Sequence, residues 1–196
     1  MTGQGLIFII SGPSGSGKTT LVKKLLSNRR LSKNIQRAVS FTSRPIRKRE
    51  ADAKDYFFIS RQEFKKREAL GEFVETKSIV GNLYGTSRSE FDKITQSGKD
   101  AILCIDVRGA KDVRRMFTKD RVVSIFILPP SINELVGRLK DRSSENREEI
   151  KKRLGLAKEE MRSAPGYDYV VINNKLSTAV KKLEAIITSE IVRRRM

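Results

Sequence analysis

The chain has 196 residues, 38% of them hydrophobic and 33% charged, a balance that fits one large α/β domain and excludes a disordered chain. It carries 41 Lys and Arg against 23 Asp and Glu, a formal net charge of +18, with one cysteine and no histidine. An internal disulfide, a Ser-His-Asp triad and a zinc site of the usual His/Cys type are thereby excluded.

No apolar stretch approaches the roughly 20 residues of a membrane helix, so no membrane partner is expected. The segment Met1 to Gly5 lacks the basic start of a signal peptide, and the lone Cys104 suits a reducing compartment. A cytoplasmic location is therefore expected. The positive charge attracts anions over long range, yet the basic residues are spread over many segments with no nucleic-acid module among them. No specific nucleic-acid partner is expected. Composition does not define an oligomeric state.

Taken in order, Gln4 to Ile10 reads as a buried parallel strand, and Lys18 to about Asn28 as a helix behind a glycine-rich loop. Ile35 to Phe41 is expected as one short strand running into a basic loop around Pro45. Tyr56 to Ile59 is strand-like. Ser60 with Glu63 forms a capping box that opens a helix ended by Gly71. Glu72 to Thr76 and Ser78 to Tyr84 read as two short strands. Ser87 with Glu90 caps the next helix, which stops at Gly98. Ala101 to Ile105 is a strand, Val107 to Phe117 a helix and Val122 to Leu128 a strand. Ser131 with Glu134 opens a helix to about Arg142. A second basic helix runs to about Arg162, Val170 to Ile172 is the last strand, and Thr178 to about Arg194 is a terminal helix.

Strands alternating with helices predict a parallel sheet covered on both faces. The stretch from about 37 to 91 breaks that rhythm and reads as a small mixed α/β insertion, and 131 to 162 as a short helical lid. The core of this single domain is then 1–36, 92–130 and 163–196. Insertions of this kind around a ligand loop act as closing lids.

The strongest motif is Gly12-Pro13-Ser14-Gly15-Ser16-Gly17-Lys18-Thr19, a G-x-x-x-x-G-K-[ST] phosphate-binding loop between a strand and a helix. Its backbone N–H groups and the helix N-terminus cradle phosphates, Lys18 reaches the terminal phosphates, and the Thr19 hydroxyl ligates Mg²⁺. A nucleoside triphosphate is the expected ligand, on a P-loop NTPase-type fold. Asp106 ends an apolar strand at the sheet edge where ligands bind. It is read as a metal or base contact, or as the N-cap of the next helix. Arg44, Arg47, Arg138, Arg142 and Arg153 fall in the two insertions, where guanidinium forks suit a transferring phosphoryl group.

Beyond the loop, the segments Val39-Ser40-Phe41-Thr42-Ser43-Arg44-Pro45-Ile46-Arg47, Glu50 with Asp55-Tyr56, Glu72-Phe73-Val74-Glu75, Gly81-Asn82-Leu83-Tyr84-Gly85-Thr86, Ile105-Asp106 and Val171-Ile172-Asn173-Asn174 resemble those of the guanylate kinases. The resemblance covers nearly the whole chain and implies phosphoryl transfer from ATP to GMP, and to dGMP, with Mg²⁺. It implies that Arg44, Arg47, Tyr56 and Tyr84 hold the GMP phosphate, and that Ser40, Glu75, Thr86 and Asp106 read guanine. It further implies that Arg138, Arg142 and Arg153 clamp the moving phosphoryl, and that the donor lies along the loop through Thr20 with Asn173 near adenine. The family usually has an acidic residue where Cys104 stands. Metal positioning would then fall to Thr19, phosphate oxygens and water. Arg49 and Ala53 stand where glycines are usual, so a different loop geometry is expected there, and Leu83 replaces a common Tyr. A non-catalytic binding module of the same fold, or a nucleic-acid-binding protein using the basic surface, are the competing readings; the intact Lys18-Thr19 weighs against the first.

Overall fold

The computed structural model describes residues 5–48, 50–140 and 147–195. In chain order, β1 (Ile7–Ser11) leads into α1 (Lys18–Leu26), α2 (Arg29–Ser32) and β2 (Ile35–Arg37). β3 (Ser40–Thr42), β4 (Phe57–Phe58), α3 (Arg61–Ala69), β5 (Phe73–Ile79) and β6 (Asn82–Ser87) follow. Next come α4 (Arg88–Gln96), β7 (Asp100–Cys104), α5 (Val107–Met116) and β8 (Val122–Leu128), then α6 (Ile132–Lys140), α7 (Arg147–Met161), β9 (Tyr169–Ile172) and α8 (Leu176–Arg195).

The larger sheet is parallel, in the order β2-β7-β1-β8-β9. Its strands are continuous apolar runs because both faces are covered. Alternate residues of β1 serve different layers. Phe8 and Ile10 join Leu21, Val22 and Leu25 of α1 and Leu183 and Ile187 of α8. Ile7 and Ile9 join Phe91 and Ile94 of α4 and Ala110 and Val113 of α5. The chain leaves β1 toward β2 on one side and returns to β8 on the other, so a topological switch lies at the C-terminal end of β1, where open α/β sheets bind ligands.

The smaller sheet is mixed, in the order β4-β3-β6-β5, with Phe64, Phe73 and Leu83 as its own core against α3. Ile35 to Phe41 is not one strand. β2 pairs with β7 in the large sheet, while β3 pairs with β6 and β4 in the small one. The chain changes sheets at Ala38 and Val39, with no Gly or Pro to mark the point. The expected break at Lys77 is also absent. β5 continues to Ile79, and the hairpin turns at Val80 and Gly81, with φ of 46° and 76°. Two positive φ values make a tight turn of the type whose twist matches the strands, although a β-branched residue in the left-handed region is uncommon.

Ser60 and Ser87 accept from the amides of Glu63 and Glu90, as the capping boxes predict. Ser131 accepts from Glu134 in the same way. Ala53, where a glycine is usual, has φ 57°, so at that position the backbone keeps a glycine-like conformation despite the Cβ. Arg49 lies outside the described residues. α6 and α7 share a small core of Leu135, Leu139, Leu154 and Ala157. No described helix is long and apolar enough to cross a membrane.

Candidate active site

A cleft opens at the switch point. It is lined by Gly12, Ser14, Gly15, Lys18 and Thr19 from the loop, by Ser40, Arg44, Arg47, Tyr56, Glu75 and Tyr84 from the smaller sheet and its loops, and by Cys104 and Asp106 after β7. Arg153 and Glu160 of α7 line it as well. The arrangement brings together residues from four separate stretches of sequence.

In the loop, Lys18 folds its ammonium back to donate to the carbonyls of Gly12 and Pro13 at 2.7 and 3.0 Å. Gly17 caps α1 with φ 89°, and a Cβ there would collide with the Asn173 side-chain amide. That amide donates to the Ser16 carbonyl at 2.8 Å, so Asn173, buried at the end of β9, supports the loop from behind. Pro13 and Ser16 are buried, and Thr20 is exposed on the first turn of α1. Arg138 reaches the Asn173 carbonyl at 3.0 Å and is also paired with Glu134, so in this conformation it contacts the Asn173 strand end. Arg153 donates to the Ser14 hydroxyl at 3.3 Å. Arg142 lies outside the described residues.

On the opposite wall, Arg44 is only 6% exposed and makes a two-pronged bond to Glu50 at 2.7 and 2.6 Å, with a further donation to the Pro45 carbonyl. Burial works against both charges, but the bonds between them outweigh it, raising the Arg44 pKa and lowering that of Glu50. The Arg47 amide also donates to Glu50. The Arg44 guanidinium lies 5.2 Å from the Tyr56 ring, and Tyr56 meets Tyr84 edge to face at 6.0 Å. Burial, helped by Tyr84, pushes the Tyr56 phenol up to about 12, so it stays a hydrogen-bond donor. Two arginines and two phenols thus line one part of the cleft, a donor-rich set that suits a phosphate.

Glu75 sits deeper. A β-bulge between Phe73 and Glu75 breaks the alternation of β5, so that Phe73, Val74 and Glu75 are all buried. Glu75 accepts from the Thr86 amide and hydroxyl at 3.1 and 2.7 Å. Burial, reinforced by the nearby Asp106 carboxylate, raises its pKa to about 7 against the pull of Thr86. Ser40 pairs with Thr86 across the strands. Asp106 does cap α5, accepting from the Gly109 amide at 2.7 Å with one oxygen, and it lines the cleft as well. The N-cap reading from the sequence is thus observed, on a residue that also faces the cleft.

Four contributors had no role assigned from sequence. Glu50 holds Arg44 in place; its spacing of six residues in a loop carries no periodic signal. Lys77 lines the cleft and pairs with Asp112, tying β5 to α5. Glu160 enters from the lid. Gly109 lies against Glu75: a Cβ there would come within 2.6 Å of Glu75 Oε2. Gly109→Ala suits the helix but must displace that carboxyl. It should raise the KM for the acceptor by about tenfold, the worth of one weakened charged hydrogen bond, while leaving the donor affinity unchanged. Steady-state kinetics with each substrate varied in turn checks this.

A parallel sheet of this order, with a glycine-rich phosphate loop after β1 and a helical lid over it, is a P-loop phosphoryl-transfer fold. The profile of the guanylate kinase family matches residues 4–190. A guanylate kinase of Nitrosospira multiformis is 42% identical over 189 residues, covering 96% of this chain and 88% of its own. One from Thermotoga maritima is 42% identical over 187 residues, covering 95% and 88%. The crystal structure of guanylate kinase from Anaplasma phagocytophilum superposes with a TM-score of 0.75 at 33% identity, over 95% of this chain and 86% of that one. The chain belongs to the guanylate kinase family.

Proposed function

We propose that the cleft binds ATP on the loop side and GMP on the side of the smaller sheet, and moves the γ-phosphoryl group between them to give ADP and GDP. The carrying observation is the buried Glu75 carboxyl beside Asp106, in a cleft also lined by Lys18, Arg44, Arg47 and Arg153. Guanine presents N1–H and N2–H₂ donors to such acceptors, whereas adenine presents an acceptor and would leave the carboxylates unpaired. Arg44, Arg47, Tyr56 and Tyr84 hold the acceptor phosphate, with Ser40 and Thr86 completing the base pocket. Lys18 and Arg153, with Arg138 and Arg142 of the lid segment, neutralise the moving group. Gly12 through Thr20 and Asn173 form the donor site.

No proton-relay histidine is needed, because phosphoryl transfer depends on positioning and charge neutralisation. Among the described residues no group of three or more His, Cys, Asp or Glu side chains is set to hold a metal ion. Burial keeps the Cys104 thiol protonated, a poor partner for a hard cation. The Thr19 hydroxyl fits such an ion. Mg²⁺ bound there with the donor phosphates would supply further charge neutralisation. We read 37–91 as the acceptor-binding insertion and 131–162 as the lid, working in the cytoplasm on small-molecule nucleotides, with the +18 charge drawing anionic substrates and no specific nucleic acid.

A coupled ADP-release assay across nucleoside monophosphates tests this reading. GMP should be preferred over AMP by about 10³-fold or more in kcat/KM, and absence of turnover with GMP would overturn it. Glu75→Gln replaces an acceptor with a donor and should shrink that preference by about 100-fold. In the unmodified enzyme the KM for GMP should rise as pH falls through about 7, where Glu75 takes up its proton. Stability should move the other way. The unfolded chain loses this proton near 4.5 and the folded chain near 7, so Glu75's contribution is complete below 4.5 and lost as pH rises to 7. At about 1.36 kcal/mol per pH unit that loss is at most roughly 3 kcal/mol, and Glu75→Gln should melt higher than the parent at pH 8.

A further inference from the structure

The lid segment lies against the phosphate loop. Leu135 and Leu139 of α6 cover Gly15, and α7 brings two charged side chains, seven residues apart on one helical face, to the same spot. The first is Arg153, on the Ser14 hydroxyl. The second is Glu160. Its carboxyl shares the cleft with Gly12, Ser14 and Lys18, where the Ser14 amide donates toward it and Lys18 faces it, with Arg108 also near and Asp106 opposing. A backbone amide of the loop and the loop lysine are the partners a donor phosphate requires.

We infer that Glu160 is a displaceable stand-in for donor phosphate: it occupies the anion-binding groups of the loop when ATP is absent, and ATP must expel it to bind. This rests on the assignment of the loop as the donor site. Burial, with Asp106 adding to it, raises the Glu160 pKa to about 7 against the pull of Lys18, so near neutrality the carboxyl is poised between a charged competitor and a neutral one. A triphosphate and an ionised Glu160 cannot share Lys18 and the Ser14 amide without like charges in contact. The residue therefore sets how tightly the donor is held. Arg153, by contrast, gains when a phosphate arrives, so the same helix face carries one group that opposes donor binding and one that favours it.

Glu160→Gln keeps the shape and an acceptor for the Ser14 amide but removes the charge. Titration calorimetry at pH 8 with a non-hydrolysable ATP analogue, run with and without Mg²⁺, should show binding about tenfold tighter in E160Q than in the unmodified chain. Inorganic tripolyphosphate should gain by a similar factor, because the competition is for the loop and not for the base. GMP affinity, unchanged, certifies the fold of the variant, and Glu160→Ala should reproduce the gain. Equal or weaker analogue binding in both variants overturns the inference. A loss seen only with Mg²⁺ would do so by assigning Glu160 to the metal's water shell. Failure of the unmodified chain to bind the analogue would overturn the donor reading itself, a separate result.

Discussion

Lys18→Ala should lower kcat by about 10³-fold while leaving the circular dichroism spectrum and the melting temperature nearly unchanged. The size follows from removing one preorganised cation at the point where charge develops on the transferring group, a loss worth about 10²- to 10³-fold for a single donor. The fold is expected to survive because the ammonium's bonds to the carbonyls of Gly12 and Pro13 stay within the loop itself. Those two bonds hold the side chain over the loop before any ligand arrives, so its ordering entropy is already spent when ATP binds. Lys18→Arg should not rescue activity, since the larger planar fork lacks the compactness of the ammonium. A kcat within tenfold of the parent enzyme would remove Lys18 from the mechanism.

Arg44→Ala should damage both function and stability, and the two effects have separate causes. The guanidinium has five N–H donors, and its bonds to Glu50 and Pro45 engage three of them. In the proposed reading the remaining donors serve the acceptor phosphate, with the Glu50 fork holding the guanidinium in place. Without them kcat/KM for GMP should fall about 100-fold, the worth of two hydrogen bonds to a charged group. Stability should drop by about 2 kcal/mol because Glu50, largely shielded from water, loses its partner. For a chain of this size that lowers the melting temperature by about 4–8 °C. Arg44→Lys should recover stability better than activity, since an ammonium can pair with Glu50 but cannot serve it and a phosphate with the same fork. The double variant Arg44→Ala with Glu50→Gln should regain most of the lost stability and none of the lost turnover. Equal recovery of both would show that the residue acts only through the fold.

The phosphate loop was legible because its chemistry demands particular residues at particular spacings, and so was β8, where seven apolar-rich residues sit between a charged turn and two prolines. The split of Ile35 to Phe41 into strands of different sheets was not. Both halves have the same local preference, and what separates them is which strand each finds, β7 or β6. The hairpin tip at Val80 and Gly81 was hidden for another reason: a valine in a left-handed turn contradicts its own propensity and is held by the pairing on either side. Within the site, Arg44, Glu75 and Asp106 could be picked out, but the groups that position them could not. Glu50 matters through a loop closure, Gly109 through the approach of β5 to α5, and Glu160 through a lid helix whose other charged residues look the same in sequence.

A chain with no histidine has none of the side chains that ordinarily exchange protons near neutrality. Here Glu75 and Glu160 fill that gap, and both line the cleft. Both raised carboxyls thus lie in the cleft, one on the side we assign to the acceptor and one on the side we assign to the donor. Guanine binding draws Glu75 toward its ionised form and releases a proton. Expulsion of Glu160 into water lowers its pKa toward that of a free glutamate and releases another. The buffer dependence of the binding heat should therefore report the two halves of the cleft separately, Glu75 with GMP and Glu160 with the ATP analogue.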